Sequence, residues 1–283
     1  MPIRSSGYAG GLIATLLVLV ASAPSPASAG YLLVDVDGEQ TLVSKGKLKE
    51  STEDGQGPQS AFDLVTARAW LANPDKRIYW EGTIEELCRT FRDTAASMGK
   101  AAEQQMEQQI ARLPPEQRAK VEEMRKSTAA KRAEETAKEK AKPGVIKVER
   151  TNETATIAGQ PTRKYKVLVD GKLYQENWLT TDPALSREFT LEKAAAAMSR
   201  VSACAESAEA SSSHAKSVDE GEIYRELYLH GWPLRSVSFA GGTASPRTDV
   251  RKVEKRDVPD SMFQPPPGFA KAPLGKVMFG TSE

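Results

Sequence analysis

The chain has two histidines and two cysteines in 283 residues. With His214 in a Ser-rich stretch and His230 beside a turn, a His-rich metal site is excluded. A Cys–His nucleophile would need Cys88 and His230 to meet by coincidence of folding. The sequence has no G-x-S-x-G, H-E-x-x-H, C-x-x-C or phosphate-binding Gly loop. No acid, base and nucleophile set can be named, so the sequence reads as non-enzymatic, with no catalytic residue, metal ligand or cofactor. An excess of one charge is missing too: 39 Lys and Arg face 38 Asp and Glu, a net of +1. No global field draws nucleic acid or anionic lipid. Aromatic residues make up 6%, little for a compact β protein, so a good share of the chain is expected as exposed helix or loop.

The N-terminus reads as a secretory leader. Arg4 supplies the charge, residues 10–23 form a short apolar run, and Ala27-Ser28-Ala29 is an A-x-A cleavage site before Gly30. Residues 1–29 are therefore expected to be a signal peptide, and the mature protein periplasmic or secreted. Beyond the leader no apolar run approaches the roughly 20 residues that span a bilayer, so the mature chain should carry no transmembrane segment. The remaining 254 residues (283 − 29) suit one domain with an insertion. In an oxidising compartment Cys88 and Cys204 suggest a disulfide. It would be worth about 4–5 kcal/mol in the chain-entropy model. The alternative is two small buried residues on helix faces.

The clearest local signal is residues 156–181. Asp170-Gly171 separates two alternating runs, and Asp-Gly favours a two-residue type I′ turn. That turn would set Val169 opposite Lys172, Val167 opposite Tyr174, Tyr165 opposite Glu176 and Arg163 opposite Trp178. One face would then carry Tyr165, Val167, Val169, Tyr174 and Trp178. It is either a core wall or a wall turned to a ligand. Asp37-Gly38 marks a second hairpin, between a strand at 31–36 and a return at 39–49. Residues 50–60 read as a loop, and 62–71 and 77–81 as strands about an Asn73-Pro74 turn.

Thr83-Ile84-Glu85-Glu86 is a capping box. Behind it, apolar residues from Ile84 to Leu113 recur at spacings of three and four over about 30 residues. This face is expected either in the core or as a lid whose Phe91, Met98 and Met106 touch an apolar ligand. Pro114-Pro115 interrupts the helix. Residues 116–142 are nearly all Ala, Glu, Lys, Arg and Gln, a polar projecting helix that is either a solvated face or a partner-docking arm. Strand 145–150 follows, then a helix from Asp182-Pro183 to about 206, a flexible linker at 207–217, and strands at 222–230, 234–239 and 248–256. The out-of-phase Val250 and Val253 suggest a bulge. A short turn at 259–263 precedes a loose tail, 270–283.

Strands, helices, strands, helix, strands, mostly as hairpins, give an α+β class. The run Thr154-x-x-Ile157-Ala158-Gly159, Tyr165-x-Val167, Asp170-Gly171-Lys172, Glu176-x-Trp178, Gly231-Trp232-Pro233-Leu234-Arg235, Pro259-x-x-Met262-Phe263 and Pro267-Gly268 resembles an uncharacterised family of bacterial envelope proteins. That family is similar in layout to the periplasmic lipoprotein-localisation carriers. The resemblance covers about residues 145–269. It implies a curved antiparallel sheet, an unclosed barrel, with helices on its concave face; the projecting charged helical hairpin departs from the compact carriers. The expected domain spans 30–269, with a helical insertion at 83–142. Two functions are carried forward. One is a binding protein holding a lipid or apolar peptide segment between sheet and helices, with Tyr165, Val167, Tyr174, Trp178, Phe91 and Met98 against it. The other is an envelope interaction protein that docks a protein partner through 116–142.

Overall fold

A computed structural model describes residues 28–139, 144–209, 218–240 and 242–279. The expected leader falls on residues outside this set, save Ser28 and Ala29, as do His214 and most of the expected linker. The side chain of Met98 is also outside it.

Two meanders build one open sheet. The first contains β1 (Ser28–Asp35), β2 (Glu39–Ser44), β3 (Lys47–Thr52), β4 (Gln59–Asp63), β5 (Arg68–Asn73) and β6 (Ile78–Thr83). The second contains β7 (Ile146–Ile157), β8 (Gln160–Val169), β9 (Lys172–Thr180), β10 (Pro233–Ser238) and β11 (Ser245–Val258). β11 pairs antiparallel with both β10 and β1 and so joins the two. The short β12 (Ala270–Lys271) adds to β6 in parallel, and the order is β12-β6-β5-β4-β3-β2-β1-β11-β10-β9-β8-β7. The sheet does not close, so the α+β layout expected from the hairpins forms, as the unclosed barrel that the resemblance implies.

Turn chemistry sets these pairings. Asp170-Gly171 has φ of 50° and 74°, the two positive values a type I′ turn requires. Lys45-Gly46 (51°, 76°) and Ala158-Gly159 (49°, 78°) have the same signature. The first of these breaks the expected return strand 39–49 into β2 and β3. At Asp37-Gly38 only Gly38 is left-handed (φ 88°), and its N–H donates to the Asp35 carbonyl.

The hairpin register departs from expectation. Val169 does face Lys172, but Val167 faces Gln175, Tyr165 faces Asn177 and Arg163 faces Leu179. Tyr174 is the extra residue of a bulge, held where its carbonyl accepts from the Phe239 N–H at 2.8 Å. One inserted residue reverses which side every later side chain of β9 takes. The bulge expected near Val250 and Val253 is present, with Arg251 skipped opposite β1, so that both valines reach the same core.

On the concave face Tyr31, Leu33, Val43, Leu48, Tyr165 and Val167 point inward. Helices α3 (Pro183–Phe189), α4 (Leu191–Glu209) and α5 (Glu220–Tyr228) cover them. Asp182 caps α3 as expected, but Thr190 (φ 49°) divides the single expected helix in two. Residues expected as strand 222–230 are instead α5. Asp219 caps it by accepting from the Glu222 N–H, and Ile223 and Leu227, four apart, are buried. On the convex face, Leu32, Val34 and Leu42 pack under Phe263. The Trp70 indole donates to the Phe263 carbonyl at 2.6 Å. The tail expected to be loose is docked through 279: β12 pairs with β6, and Leu274 and Val277 of α6 (Leu274–Phe279) are buried.

The capping box at Thr83 starts α1 (Ile84–Ala111), with both of its reciprocal hydrogen bonds made. The expected continuous core face is not realised. Ile84 and Leu87 are buried, whereas Met106 is 47% exposed. Beyond its first turns α1 leaves the sheet. In α2 (Pro115–Glu139) every described side chain is exposed except the half-exposed Val121.

Candidate functional site

The helical layer does not fill the concavity. α4 buries Ala194, Ala195 and Ala197, and β10 turns Ser236 and Ser238 inward. Two adjoining spaces remain. The larger, about 330 Å³, lies over Leu33, Leu48, Phe62 and Val250, beneath Met198 and Val201 of α4. The smaller, about 240 Å³, lies between β9–β10 and α5 and is lined by Gln175, Asn177, Ser236, Ser238 and Tyr224. Tyr228, Pro233, Arg247 and Thr248 border both, so the two make one groove with an apolar and a polar end.

An aromatic ladder forms the helical side. Phe189 stacks on Trp232 at 3.9 Å, Trp232 meets Tyr228 at 5.1 Å, and Tyr228 meets Tyr224 at 5.3 Å. Such contacts add to plain area burial and fix ring orientation. The Tyr228 hydroxyl is held well above the ordinary phenol range, by burial first and then by Tyr224 and Glu50. At the polar end the Tyr174 hydroxyl donates to Glu220 at 3.0 Å. Burial, followed by the Glu220 carboxylate, raises that phenol too. Both tyrosines therefore keep their protons and can donate.

Asn177 is the least comfortable group in the groove. It is fully buried. Its Oδ1 accepts from the Ser236 hydroxyl at 2.7 Å, but its Nδ2 has no acceptor among the described residues. A buried amide donor left unpaired costs about 1–3 kcal/mol. At the apolar end the mouth carries Asp35, Glu39 and Glu50. The Glu39 carboxyl is raised by burial first, then by Asp37, Glu50 and Asp35. Among the described residues no group of His, Cys, Asp or Glu side chains is placed to hold a metal ion.

Of the six residues expected against a ligand, the structure brings Tyr174 to the groove. Tyr165 and Val167 are in the packed core, Tyr165 stacked on His230 at 4.9 Å. Trp178 is not on their face. The Tyr174 bulge sets it opposite Lys164, whose ammonium sits 5.6 Å from its ring centre, and it is half-buried against the same core. Phe91 is half-buried on α1 and outside both linings, and the Met98 side chain is not among those described. The sequence reading missed Asn177, Arg247, Tyr224, Tyr228 and Met198. Reading α5 as a strand hid the tyrosines, and Asn177 was placed on the outer face by the uncorrected register.

Cys88 of α1 and Cys204 of α4 are joined as a disulfide, with Cα atoms 5.0 Å apart. No helix among the described residues is long and apolar enough to cross a membrane. Comparison with models of known protein families gives no match, and comparison with curated proteins gives none.

Proposed function

We propose that this is a non-enzymatic binding protein of the bacterial envelope that holds a lipid-like molecule or apolar segment between its curved sheet and helices α3–α5. The carrying observation is the space of about 330 Å³ under Met198 and Val201, within the size range of small-ligand pockets. Its floor is aliphatic and aromatic and its mouth is charged, which suits an amphiphile. The leader-like first 29 residues and the resemblance to lipoprotein-localisation carriers support an extracytoplasmic setting. The test is native mass spectrometry of protein recovered from its own envelope. Co-purifying lipid mass is expected, and Met198→Trp with Val201→Trp, which fill the space, should abolish it. A clean apo mass that takes up no added acyl compound would overturn the reading.

A second reading rests on the exposure of α2. Here the α1–α2 arm docks an envelope protein. Replacing residues 116–142 by a Gly/Ser linker should preserve folding and remove partner capture by crosslinking; unchanged capture would exclude it.

A further inference from the structure

We infer that the polar end of the groove is a head-group site for a carboxylate, so that the ligand class is a single-chain amphiphile with an acid head. This rests on the groove being the binding site proposed above. Asn177 lines the polar space, and its Nδ2, which has no acceptor among the described residues, is buried. A fully buried donor without a partner is a defect in the empty protein and an advantage in a complex, because an incoming oxygen relieves its cost. The oxygen that fits is an acceptor, and charge decides which kind. Among the described residues Arg247 is the one cationic side chain in the linings of both spaces, and it stands where they join. Guanidinium and carboxylate match in charge and planar geometry. Glu220, the carboxylate in the polar lining, already accepts from Tyr174. The other acidic groups, Asp35, Glu39 and Glu50, border the apolar space alone. They repel an acid head from that end, so the charge pattern sets the orientation of the chain: head to Asn177 and Arg247, tail under Met198 and Val201.

The probes are dodecanoate, dodecanol and dodecylamine, titrated by calorimetry into the full mature protein. Dodecanoate should bind about 10–100-fold more tightly than dodecanol, the range for a hydrogen bond to a charged group. Arg247 is exposed, so Arg247→Glu should fold normally; it is expected to erase that preference, read as the ratio of the dodecanoate and dodecanol affinities. Asn177→Leu should reduce dodecanoate affinity by about tenfold. In the parent protein the Asn177 side-chain amide resonance should shift on adding dodecanoate. If dodecanol binds as well as dodecanoate, or the amine binds best, the head-group assignment falls while the binding function stands. If none of the three binds, both fall.

Discussion

Helices α1 and α4 are bonded to each other through Cys88 and Cys204, and both are amphipathic by sequence, yet they end in opposite environments. In α4, Ala194, Ala195 and Ala197 are buried against sheet and neighbouring helices. In α1, Ile84 and Leu87 of the first turn are buried, the apolar stripe meets water at Met106, and only Ile110, near the end of the helix, is buried again among the described side chains beyond the first turns. Periodicity says which side of a helix would be buried if something came to cover it. It does not supply the cover. α4 finds one because the sheet curves beneath it and α5 lies alongside; α1 outruns the sheet after a few turns. Small side chains also proved more telling than large ones, since alanines let α4 approach closely while Met106 of α1 is 47% exposed.

The comparison can be tested at its joint. Changing Cys88 and Cys204 to serine together should cost about 4–5 kcal/mol, from the 116-residue separation they span, read as a fall in the urea midpoint of the oxidised protein. A midpoint unchanged between the oxidised and reduced parent would mean that the bond does not hold the root of the arm. Next come matched truncations. Phe189→Ala removes a fully buried ring stacked on Trp232 and should cost about 3–5 kcal/mol. Met124→Ala, on an arm residue 66% exposed, should stay within about 0.5 kcal/mol. Similar losses at both positions would show that the arm is covered in solution. The smallest effect is at Glu39. Its folded-state carboxyl is raised above the unfolded value, so the protonated form contributes stability in full at low pH and that contribution is lost as pH rises through the folded value. Glu39→Gln should therefore raise Tm slightly at pH 7 and give no gain below about pH 4. A gain of equal size at both pH values would dissociate the effect from this titration.

Much of the architecture was legible because it rests on local chemistry. Asp170-Gly171, the Thr83 capping box and the Asp182-Pro183 helix start each declare themselves within four residues, and each forms as read. Lys45-Gly46 and Ala158-Gly159 make the same turn as Asp170-Gly171, but neither Lys nor Ala announces a left-handed residue, so two hairpins were less visible. The groove was least legible. Its face of β9 is selected by the Tyr174 bulge, and that bulge is held by a hydrogen bond from Phe239, 65 residues away (239 − 174). No pattern inside β9 encodes it. Asn177 therefore reads as an outward polar residue until the register is known, and Tyr228 reads as part of a strand until Asp219 is recognised as a cap.

The seam between the meanders has a consequence for how the protein comes into being. Ser28 lies opposite Val258, and all of β1 waits for β11 before its second side is paired. Loop closure on that scale is slow compared with the adjacent hairpins, which can zip as they emerge. Until the last thirty or so residues arrive, the nascent chain holds two half-sheets, each with a bare flank. The finished concavity is thus among the latest features to appear, and a chain halted short of Val258 would present the adhesive edges that a holding chaperone recognises.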